Sequence, residues 1–292
     1  TMENFFALII GVGGDLAATA EDATAIKNLL CDPNKGGYLP ENIAFLVNDD
    51  STKKNVIDSL ENIISKTKNL DKATVLVYYS GHGLQIPNDT DPEKTEYFLK
   101  TSGADKLKKE ETMLNGALFS EKIKQIKAAK LLILLDCCHA DGMKYKNISE
   151  LEGMMIEEKP SNRGLLEKLD SGEGRVFISA CDDNEESVIL PGSKNSLFTE
   201  VCLEVFDGKL SPNDEFVSVV DLMYYVIKEV PKRVLPFHHI QRPIISEVQN
   251  LSPDYFVCRN GNYKPVQKDL EDFLINNSAE RIDFIKNYNN KI

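Results

Sequence analysis

Two short polar stretches of this sequence, 81–83 (GHG) and 136–139 (DCCH), carry the residue types best suited to covalent chemistry. A thiol attacks a carbonyl carbon as the thiolate, and a nearby imidazole can take the thiol proton and later protonate the leaving amine. His82 and Cys138 could form such a pair if the fold brings them together. The glycines beside His82 let the backbone approach a substrate, and the amides of Gly83 and Cys138 could then donate to the oxyanion.

The elements that precede these two stretches indicate how they are positioned. Residues 74–80 (TVLVYYS) and 131–135 (LLILL) are uncharged, apolar and short, as expected for strands covered on both faces of a sheet. Each run ends directly at one of the polar stretches. Because functional sites of open parallel sheets assemble at the carboxyl ends of the strands, we expect His82 and Cys138 to meet at that edge.

The rest of the chain alternates between strand-like and helix-like segments, which predicts an α/β fold with a mainly parallel central sheet. Further strands are expected at 5–12, 43–47, 175–179 and 244–246, and helices at 22–30, 52–66, 118–129, 197–206, 219–230 and 270–288. The segment between 140 and 174 is polar and has little periodicity, so it is predicted to be a long loop of the kind that tends to be functional.

Residues 78–83 (YYSGHG) and 134–139 (LLDCCH) resemble the two catalytic motifs of metacaspases and bacterial orthocaspases. These are caspase-like cysteine peptidases, related to caspases and to clostripain-like and gingipain-like peptidases. Looser matches follow in the family's order at 179–183 (SACDD), 197–199 (LFT) and 241–243 (QRP), so the resemblance covers roughly residues 5 to 250. It implies a caspase-like α/β/α sandwich and a thiol protease.

The resemblance also implies roles for individual residues. Cys138 would be the nucleophile and His82 the general base and acid. Asp136 matches the acid that lines the primary specificity (P1) pocket, with Asp182 or Asp183 as a second carboxylate. Two carboxylates in one pocket select a guanidinium or ammonium group, because other side chains would leave those charges unpaired. We therefore expect an endopeptidase that cleaves after Arg or Lys.

The chain departs from the family pattern after the nucleophile, where the common His-Ser-Gly is replaced by 139–142 (HADG). This leaves the geometry of the following loop open. No acidic cluster matches the calcium sites of some metacaspases, so we expect no metal or other required cofactor, and calcium as an activator stays open. Cys137, Cys138 and His139 are adjacent and have no second pair, which argues against a tetrahedral zinc site.

The resemblance divides the chain into a peptidase domain at 1–260 and a C-terminal helical extension at 261–292 of unknown role. Within the domain, a large-subunit-like part spans about 1–142, a linker loop about 140–174, and a small-subunit-like part about 175–260. The loop contains basic residues that the expected pocket would accept, which suggests activation by self-cleavage; an ordinary solvated loop is the alternative. These residues are Lys144, Lys146, Lys159 and Arg163.

The amino-acid composition limits the classes of partner that we expect for this chain. The net charge of −12 disfavours binding to nucleic acid or to anionic membranes, and no stretch is long and apolar enough to span a bilayer. The six cysteines have no CxxC spacing, which favours reduced thiols in a cytoplasmic protein.

We expect a monomer that acts on protein substrates with a basic P1 residue and that could need a regulatory partner. A catalytically silent caspase homologue acting as a scaffold, and a nucleotide-binding regulator using 11–14 (GVGG), are the alternatives.

Overall fold

The structure is a computed structural model that describes residues 2–15, 17–139, 169, 173–182, 185–246, 251, 254–263 and 268–289. At 138, 139, 268–277 and 289 the description is confined to the backbone. None of the helices within these ranges is long and apolar enough to cross a membrane.

The described residues form strands and α-helices that alternate along most of the chain. The strands are β1 Phe5–Gly11, β2 Ile43–Val47, β3 Thr74–Pro87, β4 Thr95–Leu99, β5 Leu114–Asn115, β6 Lys130–His139, β7 Arg175–Ser179, β8 Phe216–Ser218, β9 Ile244–Ile245 and β10 Phe256–Arg259. The α-helices are α1 Ala17–Cys31, α2 Lys53–Thr67, α3 Lys109–Thr112, α4 Gly116–Gln125, α5 Leu197–Phe206, α6 Val219–Val234 and α7 Lys268–Asn289. Short 3₁₀ helices lie at Met2–Asn4, Pro40–Asn42, Asn48–Asp50, Lys106–Lys108 and Leu235–Phe237.

The main sheet has the strand order β2-β1-β3-β6-β7-β9. All neighbours in this order are parallel except β7 and β9, which are antiparallel. The predicted fold class, a mainly parallel sheet flanked by helices, is therefore confirmed. The two uncharged runs of the sequence, now β3 and β6, lie side by side at the centre.

Helices cover both faces of the sheet because successive strand side chains point to opposite sides. In β1, Ala7 and Ile9 pack toward α1, α5 and α6, whereas Leu8 and Ile10 pack toward α2 and α4. The other central strands repeat this alternation, so the molecule has three layers with a hydrophobic core on each side of the sheet.

Strand β3 continues well beyond the predicted end at residue 80. Its residues from Gly83 to Pro87 pair with β4 in an antiparallel hairpin, and Gly83 is also the last residue of β3 that pairs with β6. Strand β4 was not predicted, because 95–99 (TEYFL) is short and carries a charge. The hairpin extends the main sheet beyond the point where the pairing of β3 with β6 stops.

The observed helix boundaries differ from the predicted ones at several places. Helix α1 begins at Ala17 rather than 22, and α4 ends at Gln125 rather than 129. Two further differences have a visible cause. Helix α4 begins at Gly116 rather than 118 because the side chain of Asn115 caps it, accepting a hydrogen bond from the amide of Ala117. Helix α6 was expected to stop at residue 230 because Pro231 lacks the amide for a helical hydrogen bond. It instead runs to Val234, and burial of Val234 against the core offsets the missing bond.

The predicted C-terminal helix is present as α7, which packs on α6. Arg281 forms an ion pair with the buried Asp221, and Phe284 packs edge-on against Tyr224 at 5.3 Å between ring centroids. Ile285 is almost fully buried in the same core that α6 lines. The described part of this helix is therefore attached to the core beside the main sheet.

Candidate active site

The backbones of the two predicted catalytic residues lie opposite each other on the central strands, His82 within β3 and Cys138 near the end of β6. Strands β3 and β6 are parallel neighbours, and their register pairs the Cα atom of His82 with that of Cys138. Neighbouring strands lie about 4.8 Å apart. The fold therefore brings His82 and Cys138, which are 56 positions apart in the sequence, to adjacent positions at one edge.

The main chain of His82 is held on the hairpin side. Its carbonyl oxygen accepts a hydrogen bond of 2.9 Å from the amide of Lys100, which follows β4. The hydroxyl of Tyr79 lies 2.9 Å from the same oxygen and 2.7 Å from the carbonyl of Lys100. These hydrogen bonds fix the position of the His82 backbone in the sheet, and therefore the point from which the imidazole extends.

The imidazole of His82 is largely buried and lies beside one carboxylate and one ammonium group. Its Nε2 atom is 3.8 Å from Oδ2 of Asp15, whose other oxygen pairs with Nζ of Lys100 at 2.8 Å. Burial, and secondarily the charge of Lys100, lower the pKa of His82 from 6.5 to about 4, while Asp15 opposes this shift. The ring is therefore neutral at pH 7, which is the form that can accept a thiol proton.

Both glycines beside His82 are required by close neighbours rather than by backbone angles. A Cβ atom on Gly81 would lie 2.5 Å from the hydroxyl oxygen of Tyr79 and 2.7 Å from a methyl carbon of Val12. On Gly83 it would lie 2.2 Å from the hydroxyl oxygen of Tyr97. The tight packing explains why the sequence has GHG here, and the amide of Gly83 as an oxyanion donor stays a prediction.

At the end of β6, Asp136 and Cys137 point to opposite faces of the sheet. The side chain of Cys137 is buried on the α2 and α4 side, with Sγ 3.5 Å from the hydroxyl oxygen of Tyr97. The carboxylate of Asp136 is fully buried on the α1 and α5 side. Cys137 is thus packed in the core, as expected for the cysteine that is not the nucleophile.

The carboxylate of Asp136 accepts hydrogen bonds from three hydroxyl groups. Ser187 donates to one oxygen at 3.0 Å, and Thr199 donates to the other at 2.7 Å. Ser196 also donates to that second oxygen. Two of the three donors lie in or just before α5, so the LFT segment noted in the sequence belongs to the lining of this acid.

A second buried carboxylate, Asp22 of α1, shares this site with Asp136. Asp22 accepts hydrogen bonds from the amide of Asn195 at 2.8 Å and from the backbone amide of Ser196 at 3.0 Å, and the hydroxyl of Ser80 lies 3.4 Å away. Burial, and next the charge of Asp136, raise the pKa of Asp22 from 3.8 to about 8. At neutral pH the pair therefore retains a proton.

Asp22 was not singled out in the sequence, although one signal was present. Positions 22, 26 and 30 lie on one face of a helix, and two of them are apolar. In the structure Asp22, Ile26 and Leu30 are all fully buried. An acid within the apolar stripe of the helix that follows the first strand was the available indication.

Of the two further acids predicted for the pocket, Asp182 is described and has a different setting. The backbone amide of Asp182 lies 3.4 Å from the carboxylate of Glu185, a buried residue that forms an ion pair with Arg242. The charge of Asp182 itself acts on Arg242 and helps to raise the pKa of the guanidinium. Asp183 lies outside the described residues, so the assignment of either acid to the pocket stays a prediction.

Other predicted features fall partly or wholly outside the described ranges. The proposed self-cleavage residues Lys144, Lys146, Lys159 and Arg163 are all outside them. Within the described ranges, no three His, Cys, Asp or Glu side chains come together as a metal site.

Comparisons with known proteins agree with the predicted fold. A family model for the caspase domain matches residues 4–253. A crystal structure of the protein GSU0716 from Geobacter sulfurreducens resembles the chain with a TM-score of 0.57 and 18% identity, covering 89% of this chain and 98% of that chain. At this identity the likeness concerns the fold alone. No curated protein sequence matches the chain significantly.

Proposed function

The chain belongs to the caspase domain family of cysteine peptidases, and from this we propose that it is an endopeptidase that cleaves proteins after Arg or Lys. In this proposal Cys138 is the nucleophile and His82 the general base and acid. The observation that carries it is the register of β3 and β6, which sets the Cα atoms of these two residues opposite each other.

The chemistry follows from this pairing. The imidazole of His82 takes the proton of the Cys138 thiol, and the thiolate attacks the substrate carbonyl carbon. The backbone amides of Gly83 and Cys138 donate to the oxyanion of the tetrahedral intermediate. The imidazolium then protonates the leaving amine, and a water molecule, deprotonated by His82, hydrolyses the thioester. The neutral ring of His82 at pH 7 supports its role as the initial base.

The preference for a basic P1 residue is supported by the paired acids Asp22 and Asp136. A guanidinium or ammonium group entering the site would pair with their charge and displace the retained proton, whereas an acidic P1 side chain would add a further negative charge. Both acids are fully buried and bonded to hydroxyl and amide donors. The entering cation must therefore take the place of some of those donors at the two carboxylates.

Asp22 is a stronger candidate for the second carboxylate than Asp182. Asp22 is close enough to Asp136 for their charges to couple, whereas the charge of Asp182 already faces Arg242. We keep Asp182 and Asp183 as candidates for the outer wall of the pocket, where a second acid would attract a basic side chain before it enters.

The remaining parts of the proposal concern activation and setting. We propose self-cleavage at one or more of Lys144, Lys146, Lys159 and Arg163, calcium or a regulatory partner as further activators, and a monomer in the cytoplasm. The cysteines whose side chains are described are free thiols, which suits a reducing compartment. Intact mass of active protein over a long incubation, compared with Cys138→Ala protein, tests self-cleavage directly.

The proposal is tested by hydrolysis of fluorogenic peptides with Arg, Lys, Asp or Leu at P1, with and without calcium. Cys138→Ala and His82→Ala should each abolish cleavage after Arg and Lys. The matched control is Cys137→Ala, which removes a neighbouring thiol that is buried in the core and should keep activity. A peptidyl-arginine chloromethyl ketone should label Cys138 stoichiometrically, as located by mass spectrometry.

Three results would contradict parts of this proposal. Cleavage after Asp would refute the assignment of the acids Asp22 and Asp136 to the P1 pocket. Retained activity in His82→Ala or Cys138→Ala would refute the catalytic pair. Silence on all peptides, together with no labelling of Cys138 before and after incubation with calcium, would favour the scaffold alternative.

A further inference from the structure

A carboxylate and an ammonium group from two different loops meet beside the imidazole of His82. Asp15 lies in the connection between β1 and α1, and Lys100 directly follows β4. The carboxylate of Asp15 lies between the imidazole and the ammonium group, with Oδ2 3.8 Å from Nε2 of His82 and Oδ1 2.8 Å from Nζ of Lys100. The three side chains form a short chain of alternating charge whenever His82 is protonated.

Lys100 is tied to His82 through the backbone as well as through Asp15. Its amide donates to the carbonyl oxygen of His82 at 2.9 Å, and the hydroxyl of Tyr79 lies within hydrogen-bond distance of the carbonyls of both residues. The backbone of Lys100 is therefore fixed relative to the backbone of His82. Its ammonium group in turn restrains Asp15, whose side chain is half exposed and would otherwise be free to rotate into solvent.

Catalysis requires His82 to carry a positive charge that its surroundings disfavour. The ring is largely buried, and the nearby ammonium group of Lys100 repels an imidazolium. Asp15 is the charged group that acts in the opposite direction. Without it, transfer of the thiol proton to His82 would be opposed by both burial and charge.

We propose that Asp15 is a positioning residue for His82, orienting the imidazole and stabilising the imidazolium formed in the reaction, and that Lys100 holds Asp15 in place. This inference rests on the proposed role of His82. The proton moves from Sγ of Cys138 to the imidazole and then to the leaving amine, and Asp15 stays ionised throughout. Asp15 thus acts through His82 and does not exchange protons with the substrate.

The test uses two substitutions whose effects on His82 have opposite signs. Asp15→Asn removes the favourable charge and should lower the pKa of His82. Adding Lys100→Met to Asp15→Asn then removes the repelling charge without releasing Asp15, and should raise that pKa again. Both pKa values are measured by NMR titration of the imidazole in Cys138→Ala protein, with His82→Gln used to assign the signal. This readout does not require a known substrate.

The control is Asp91→Asn, which neutralises an acid that also pairs with a lysine, Lys94, at 2.8 Å but on the hairpin. In otherwise wild-type protein, Asp15→Asn should lower kcat about ten-fold or more with little change in KM, because it removes part of a general-base effect worth roughly 10²- to 10⁴-fold. It should also shift the acidic limb of the kcat/KM pH profile. Asp15→Glu should recover part of the loss.

The outcomes separate this inference from the proposed function. If the His82 titration is the same in Asp15→Asn and Asp91→Asn, Asp15 has no positioning role, whatever the activity. If His82→Gln remains active, the catalytic role of His82 is wrong and the inference falls with it. A His82 pKa that falls in Asp15→Asn and rises again when Lys100→Met is added, with loss of kcat in Asp15→Asn, would support the inference.

Discussion

The carboxylates of Asp22 and Asp136 come from a helix and a strand 114 positions apart in the sequence, yet Ser196 binds both of them. Its backbone amide donates to Asp22 at 3.0 Å, and its hydroxyl donates to Asp136. Because α5 begins immediately after Ser196, this residue fixes α5 to the two acids. The result is one fully buried acidic site, and Asp136 lies two residues before Cys138 on the same strand.

Neutralising either acid should weaken cleavage after basic residues. Removing one partner of a buried charge pair typically costs about 2 to 5 kcal/mol, so Asp22→Asn or Asp136→Asn should lower kcat/KM for Arg substrates by roughly thirty-fold or more. The measurement is steady-state hydrolysis of Arg and Lys peptides. Asp182→Asn is run beside them.

The control reaction is alkylation of Cys138 by a small uncharged reagent, which should be unchanged in all three variants because it does not use the P1 pocket. If Asp136→Asn and Asp182→Asn lower kcat/KM but Asp22→Asn does not, the second carboxylate is Asp182, one of the two acids that the sequence motif suggested. If no variant does, the buried acids are structural and the basic P1 preference lacks a physical basis.

The raised pKa of Asp22 should appear in the pH dependence of stability. Its pKa is about 8 in the folded protein and about 3.8 in the unfolded chain, so between these values the folded state binds more protons. Stability contributed by this site therefore falls as pH rises from about 4 to 8. Asp22→Asn can keep accepting from Asn195 and Ser196 but cannot ionise, so its free energy of unfolding should decline less over this range.

Urea unfolding of both proteins at several pH values between 4 and 8 measures this difference. Comparing slopes rather than absolute values removes the contributions of the other ionisable groups. Parallel pH curves for the wild-type protein and Asp22→Asn would mean that Asp22 titrates normally in the folded protein and is not coupled to Asp136.

The sequence predicted the centre of this fold well and its acidic site only in part. The runs that became β3 and β6 lack charges, so their burial on both faces could be predicted without knowledge of their partners. Asp22 could not be assigned in the same way. Helical periodicity places it on the buried face of α1, but only the tertiary fold shows that this face meets Asp136. Similarly, β4 forms because it pairs with the end of β3. This pairing could not be predicted from the residues of 95–99 alone.

Substitution of Gly83 should disturb the strand around His82 through a clash with Tyr97, and shortening Tyr97 should relieve part of that clash. A methyl group at this position would lie 2.2 Å from the hydroxyl oxygen of Tyr97, so Gly83→Ala should lower the free energy of unfolding by about 1 to 3 kcal/mol and reduce activity. Tyr97→Phe removes that oxygen but leaves the ring carbon 2.9 Å away. The double variant should therefore be less destabilised than the sum of the two single variants.

Urea unfolding of the four proteins completes this double-mutant cycle. Strictly additive effects would show that the backbone at Gly83 moves away from Tyr97 at no cost. In that case the glycine would not be required by packing, and its presence beside His82 would need an explanation in terms of substrate approach.

The attachment of α7 to α6 should depend on Arg281. This residue pairs with Asp221, whose side chain is 3% exposed, and its guanidinium lies over the ring of Tyr224 at 5.5 Å. Arg281→Ala leaves a buried carboxylate with the hydroxyl of Ser211 but without its charged partner, and should lower the free energy of unfolding by roughly 3 to 5 kcal/mol. The matched control is Lys286→Ala, which removes the same charge from an exposed position of the same helix and should change stability by less than about 0.5 kcal/mol. Thermal or urea unfolding measures both variants, and equal effects would show that α7 is not held to the core by this ion pair.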